Sequence, residues 1–434
     1  MPSLVLCGIF AVTGVLSAQI SSSKTIRHHK IPVEDESRPP ELTQAEAAIE
    51  KKDYAGAEPL LKKVVTTQPA NYQAWFDLGF VYNALDQPSD SISAYRQSVA
   101  AKPDVFESNL NLGLMLVKNK QPGAEEFLKA ATTLKPTSHV DQSRATAWLA
   151  LAHVIEDKDP DQAIEAYHQA AALQPKDPEP RLSAGLLLEK QNKFSDAEEQ
   201  YKQALALDPS SSDALVGLAN IYMRGKRFPE AEESLKKVVA QRPNDPVAHV
   251  QLGRVLAADQ KYDDAIAELQ LGLKLAPNDP NAQRDLAEIY VNAGKFSEAE
   301  ALYRTLLATQ PRDADLHYRL GQALMKLKMF PDAEQEFLAT VKFKPDWGAA
   351  YGDLAVAANE NKNYAMAIRA LDARAKFLPE IPVGYFLRAT AYDHLRDYHQ
   401  AAANYHLFLQ VAAGKYPDQE WQARHRLIAI EPKK

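Results

Sequence analysis

Ten prolines mark the chain at nearly even intervals: Pro69, Pro103, Pro136, Pro175, Pro209, Pro243, Pro277, Pro311, Pro345 and Pro379. The successive intervals are 34, 33 and 39 residues and then six of 34. A period that strict is the mark of one supersecondary unit copied along the chain. Such a unit cannot bury its apolar face alone, so neighbouring copies must stack to form a shared core. The product is an extended surface rather than a rounded body around a catalytic cleft.

The unit is clearest in Trp75-x2-Leu78-Gly79-x2-Tyr82, followed by Tyr95 and Pro103. Spacings of 3, 4 and 7 put the first four on one helical stripe. The small residue of this first helix recurs as Gly113, Ala152, Gly185, Ala219, Gly253, Ala287, Gly321, Ala355 and Ala389. In the second helix a small residue recurs from Ala57 to Ala401, and a large one follows four positions later, as in Tyr95, Leu128, Tyr167, Tyr201, Leu269 and Phe337. Small residues let two helix backbones approach, and the large neighbour fills the groove. An aromatic opens most second helices (Tyr54, Phe194, Phe228, Tyr262, Phe296, Phe330, Tyr364, Tyr398). Ser195 with Glu198 and Ser297 with Glu300 have capping-box spacing. Asp177-Pro178, Asp245-Pro246 and Asp279-Pro280 predict N-caps before a first-turn proline.

With these motifs the chain resembles the tetratricopeptide repeat family. The resemblance covers eleven repeats from about residue 38 to about 415. It implies an all-α, right-handed superhelical solenoid of about eleven helix-turn-helix repeats closed by a C-terminal capping helix. The expected divisions are a signal peptide at 1–18, a disordered linker at 19–41 and a front block of repeats 1–3 at 42–138. A back block of repeats 4–11 follows at 139–415, then a capping helix and tail at 416–434. That last helix carries apolar Trp421, Leu427, Ile428 and Ile430 and is expected to turn a polar face outward. The 39-residue step adds residues around Thr137–Ser143, and the Gln121-Pro122-Gly123 turn is one residue short. Both read as surface-turn indels, with a binding loop as the other reading of the insertion.

The apolar run Leu4–Ala18, followed by the polar stretch from Gln19 to Lys30, reads as an export signal. At fifteen residues it is short for a span, so no integral membrane segment is expected in the mature chain, which is placed outside the cytoplasm, in the periplasm. Two features depart from a standard signal: no Lys or Arg precedes the run, and Leu16 is large for its place. Cys7, the sole cysteine, lies inside this run, so a processed chain has no thiol chemistry. His28-His29 lack a third ligand and read as solvated. The formal charge of −7 and a pI near 5.9 argue against nucleic acid as a partner.

The family resemblance places first helices on the concave surface, with ligands lying there as extended peptides or short helices. Counting from each proline, Asp77, Glu107, Glu156, Glu179, Glu189, Asp213, Asp285, Glu288, Asp315, Asp353 and Asp393 fall on that face, with only Arg254, Arg284 and Arg319 as cations. Eleven acids against three arginines favour basic or mixed-charge protein or peptide segments, and equally fit a solvated face of an acidic protein. Phe76, Phe80, Tyr318 and Phe386 are the aromatic candidates. The family's Lys/Asn carboxylate clamp is missing, since its places hold Phe76 with Phe80, Leu110 with Leu114, or Arg284 with Glu288. An inward asparagine ladder is missing too, the row reading Asp77, Asn111, Ser183, Gly217, Gln251, Asp285, Arg319, Asp353.

No phosphate-binding glycine loop, HExxH, cysteine nucleophile or nucleophile elbow occurs, and no cofactor or metal is expected. The chain thus reads as a non-catalytic scaffold of the bacterial cell envelope. Two other readings stay open: a subunit recruiting substrates to a separate glycosyltransferase or protease, and an array that self-associates through its terminal helix.

Overall fold

The computed structural model describes residues 38–431. The signal peptide, most of the linker, Cys7 and His28-His29 lie outside that range. Twenty-three helices and no strand are found among the described residues. They form eleven antiparallel hairpins followed by one closing helix, Pro417–Ile430. The first helix begins at Pro40, so the last two residues assigned to the linker, Pro40 and Glu41, form a helical turn instead. The chain divides into two compact units, Met1–Gln241 and Arg242–Lys434. The first holds repeats 1 to 6 and the second holds repeats 7 to 11 with the closing helix.

Each hairpin closes on the small-to-large contact read from the sequence. A Cβ on Gly79 would lie 2.8 Å from the Tyr95 ring, one on Gly185 2.8 Å from Tyr201, and one on Gly321 2.7 Å from Phe337. Tyr95, Tyr201 and Phe337 are fully buried by this approach. The second helices open on Tyr54, Phe194, Phe228, Tyr262, Phe296, Phe330, Tyr364 and Tyr398, as expected.

The turn inside every repeat but the fourth is a Schellman motif. The N–H of the residue ending the turn bonds to a carbonyl five residues back, as in Gln87 to Tyr82, Arg227 to Tyr222 and Lys295 to Tyr290, each at 2.8 Å. The residue before it is left-handed: Lys52, Asp86, Lys120, Asn192, Lys226, Gln260, Gly294, Lys328, Lys362 and Arg396. Only one of these ten is glycine.

A further bond recurs between repeats. Six residues after each of several periodic prolines, a side chain donates back to that proline's carbonyl: Trp75 to Pro69, Asn109 to Pro103 and Gln283 to Pro277 at 2.8 Å, His249 to Pro243 at 3.0 Å and Tyr351 to Pro345 at 3.1 Å. The proline therefore ends one helix pair and offers the carbonyl that orients the next.

Three local expectations are corrected. Ser195 and Ser297 cap nothing: their helices begin one residue earlier, at Phe194 and Phe296, and Lys193 and Lys295 stand at the N-cap. Aromatic packing at the first helical position moved the boundary, and Glu198 and Glu300 pair instead with Lys202 and Arg304 at 2.7 and 2.9 Å. The closing helix buries Ala423 and Leu427 but leaves Trp421 and Ile428 exposed, so its outer face is not wholly polar. The aspartate caps at Asp245 and Asp279 do form, but Asp177 is not a cap: its helix starts at Glu179 with Pro178 at the N-cap, and Asp177 only accepts from the Glu179 N–H at 3.0 Å.

Candidate functional site

Within each unit the first helices of neighbouring repeats touch one another more extensively than the second helices do, which puts them on the inner side of the local curve. The candidate residues lie on these first helices, but packing treats them very differently.

In repeats 2 and 3 the candidates are interior. Phe76 is fully buried against Tyr95, with ring centroids 5.6 Å apart, and Asp77 is 1% exposed. Glu107 is also buried and accepts from the backbone N–H and hydroxyl of Thr137, at 2.7 and 2.6 Å. It is the anchor of the 137–143 insertion, which is therefore pinned to the repeat before it. Phe76, Asp77 and Glu107 are thus corrected from partner-facing to structural positions. Phe80 is half-buried, edge-on to Tyr54.

Repeats 4 to 6 carry half-buried carboxylates. Glu189 accepts from the Tyr201 phenol at 2.8 Å, and Glu156 from Tyr167 at 2.7 Å. Burial raises the Glu189 carboxyl above its ordinary range, more than the tyrosine bond and Arg224 lower it. Burial also acts on Glu156, but His153 and Tyr167 outweigh it and the net shift is downward. Glu179 is pushed up by burial and by Asp177. Asp213 is half-buried near the start of the sixth repeat.

The second unit brings the remaining candidates together. Arg254 of repeat 7 donates to Asp285 of repeat 8 at 2.6 Å. Arg284 of repeat 8 donates to Asp313 of repeat 9 at 2.9 Å. Arg319 of repeat 9 meets Glu288 of repeat 8 at 3.1 Å and its own Asp315 at 2.7 Å. Gln322 reaches Asp353 of repeat 10 at 3.4 Å. Every arginine counted as an inward cation is therefore spent on joining one repeat to the next. The carboxylates outnumber them, and the Asp315 side chain is 40% exposed. Burial raises Asp285 and Glu288 despite the opposing Arg254 and Arg319. Tyr318 packs on Trp347 with centroids 4.4 Å apart, and burial together with the Asp353 carboxylate raises its phenol.

Sequence reading missed these cross-repeat ties, although a signal existed: the partners differ by close to one period, as in Arg254 with Asp285 and Glu288 with Arg319. It also missed that tyrosine in the second helix travels with an acid four residues after the small position of the first helix. Glu156 with Tyr167, Glu189 with Tyr201 and Asp393 with Tyr405 show this pairing, Tyr95 and Tyr303 have Asn83 and Val291 there instead, and Leu235 and Leu269 stand with Met223 and Ala257 at those registers. A buried phenol needs an acceptor and a leucine does not. Among the described residues there is no group of side chains suited to a metal, and no helix is long and apolar enough to cross a membrane.

Comparison with known proteins agrees with this architecture. Two family models described as tetratricopeptide repeat match the chain, one over residues 48–111 and 226–289, the other over 182–246 and 284–346. Tetratricopeptide repeat protein 37 of Xenopus laevis is 33% identical over 87 residues, which is 20% of this chain and only 6% of that protein's length. Among solved structures, the C-terminal part of a TPR repeat-containing protein from Cytophaga hutchinsonii aligns over 55% of this chain and 98% of its own, at 18% identity and a TM-score of 0.47. YrrB, described as a TPR protein with an unusual peptide-binding site, aligns over 43% of this chain and 96% of its own, at 24% identity and a TM-score of 0.40.

Proposed function

Since the chain belongs to the tetratricopeptide repeat family, we propose that it is a non-catalytic docking scaffold whose inner face in the second unit binds basic or mixed-charge segments of partner proteins. The observation that carries this reading is the cluster on repeats 7 to 10. There Arg254, Arg284 and Arg319 are each held by a carboxylate of the neighbouring repeat. The excess acid, led by Asp315 and Asp353, is what an incoming chain would meet. Fixed half-buried carboxylates attract cations more strongly than solvated ones, because low-dielectric walls focus their field.

The apolar run Leu4–Ala18 supports a location in the bacterial envelope, after export. Sequencing the N-terminus of the protein purified from its cells checks this, and a chain beginning at Met1 in the cytoplasm would overturn it.

The test of binding is cross-linking in cells with mass spectrometry of the captured chains, comparing wild type with Asp315→Lys/Asp353→Lys. Loss of a defined set of partners at unchanged thermal stability supports the reading. An identical captured set from both proteins sinks it.

A further inference from the structure

Three residues after the small position of the first helix, four repeats carry tyrosine: Tyr82, Tyr222, Tyr290 and Tyr392. Side chains of the preceding second helix and of the following turn reach this residue. The Lys62 ammonium lies 5.7 Å from the Tyr82 ring centroid, and the Arg227 guanidinium 4.2 Å from that of Tyr222. Gln270 donates to the Tyr290 phenol at 2.9 Å. Tyr222 and Tyr290 are buried in these places. Repeat 5 has Leu188 at the same position.

A cleft of about 360 Å³ opens over Leu188, between the second helices Pro160–Leu173 and Phe194–Leu207 of repeats 4 and 5. Leu188 and Ile164 form its buried floor, and His168, Lys193 and Glu199 stand exposed at its rim. The rim repeats the surroundings of the tyrosines. His168 has the register of Lys62 and Gln270, and Lys193 has that of Arg227 and Lys295. The Lys193–Asp161 pair at 2.8 Å reproduces the Lys295–Asp263 pair at 2.7 Å next to Tyr290. Repeats 9 and 10 also lack the tyrosine, at Leu324 and Ala358, but they set apolar Met329 and Leu338 where repeat 5 has Lys193 and His168. The place in repeat 5 is therefore built as a tyrosine site without its tyrosine.

We propose that this outer cleft of the first unit seats a tyrosine side chain of a partner protein. The ring lies on Ile164 and Leu188 beneath the Lys193 ammonium, a cation over an aromatic face. Its hydroxyl meets the His168 imidazole, as the Tyr290 phenol meets Gln270. Ile164 stands where the next repeat has Glu198, the carboxylate that holds Arg227, so the floor here is apolar and suits a ring better than an ammonium head. The volume lies within the ~300–1,000 Å³ of small-ligand sites. Because the cleft is formed by second helices of the first unit, it is separate from the inner face of the second unit and does not depend on the function proposed for that face.

The test has two arms. In the first, N-acetyltyrosinamide is titrated into the purified methyl-labelled chain, and the Ile164 and Leu188 methyl resonances should shift saturably with roughly millimolar affinity. N-acetylphenylalaninamide should bind about five-fold more weakly for want of the hydroxyl, and N-acetylleucinamide more weakly still. Leu188→Tyr gives repeat 5 the residue of repeats 2, 6, 8 and 11 and should abolish the shifts without lowering the thermal midpoint. His168→Ala, at an exposed position, should keep ring binding and lose the preference for tyrosine over phenylalanine. In the second arm, a photoreactive benzophenone side chain replaces Glu199 in cells, and the captured peptides are read by mass spectrometry. They should come from another protein and contain tyrosine, and their yield should collapse in Leu188→Tyr. Equal binding of the leucine probe, shifts that persist in Leu188→Tyr, or capture of this chain's own peptides alone overturns the proposal. Probe binding with no protein captured also overturns it, leaving a free phenol as the ligand.

Discussion

Tyr201 places its phenol 2.8 Å from a carboxylate oxygen of Glu189, so a tyrosine that fills the helix-packing groove also holds an acid at the inner face. Tyr201→Phe keeps the ring and removes the phenol donor, leaving the half-buried Glu189 with Asn220 and the Arg224 charge. A loss of about 1–2 kcal/mol in urea unfolding is expected, and an unchanged midpoint would refute the role given to this bond.

Glu189 and Glu156 should respond to pH with opposite signs. The folded Glu189 carboxyl is raised, so its contribution to stability is full below the ordinary glutamate value of about 4.3 and is lost as pH rises through the higher folded value. The folded Glu156 carboxyl is lowered, so its contribution is present above about 4.3 and is lost as pH falls through the lower folded value. Relative to wild type, Glu189→Gln should therefore gain stability between pH 4 and pH 7, on the order of tenths of a kcal/mol, and Glu156→Gln should lose it. Parallel unfolding curves at four or five pH values decide the matter.

His249 faces an acceptor with each ring nitrogen: Nε2 lies 3.0 Å from the Pro243 carbonyl and Nδ1 2.7 Å from the Glu268 carboxylate. Only imidazolium donates to both. Burial lowers its proton affinity, but Glu268 and the Pro243 carbonyl outweigh burial and the net shift is upward. The stabilisation is therefore complete below the ordinary histidine value of about 6.5 and fades as pH rises through the folded one. The stability gap between wild type and His249→Gln should be about 1 kcal/mol at pH 6 and shrink by pH 9. A gap constant with pH would show that one ring nitrogen stays unprotonated throughout.

The turns offer a clean backbone test. Gly294 has φ 75° with nothing within 4 Å of where a Cβ would sit, so Gly294→Ala adds conformational strain without a clash and should cost about 1 kcal/mol. Lys226 occupies the same turn position two repeats earlier at φ 56°, and Lys226→Gly should recover a few tenths of a kcal/mol, the entropy of the unfolded glycine offsetting part of the relief. Thermal melts of the two variants should move in opposite directions.

Gly79→Ala is expected to destabilise by about 1–3 kcal/mol, since its methyl would stand 2.8 Å from the fully buried Tyr95 ring. Calorimetry showing no loss would mean that the second repeat is looser than its geometry.

Much of the architecture was legible because a repeat states the same instruction many times. The helix pairs, their small and large contacts and the aspartate caps at Asp245 and Asp279 follow from residues within one period, where helical spacing alone assigns faces. The capping boxes failed because Phe194 and Phe296 took the first helical position by packing, which side-chain hydrogen-bond spacing does not weigh. The candidate site was legible only as rows. Asp77, Asp285 and Asp353 share one register, yet the first is buried, the second is tied to Arg254, and the third accepts from Gln322 of the preceding repeat.

The sequence by itself determined how many hairpins there are, where each turns, and which side chains line each first helix, because those properties are local and periodic. Tertiary structure alone decided which of those side chains meets solvent. That depends on what a neighbouring repeat some thirty residues away sets against it: Thr137 covers Glu107 and Arg319 covers Glu288, while Trp421 stays 61% exposed. Burial and charge pairing are pairwise properties in space, and a one-dimensional period carries only the first partner of each pair.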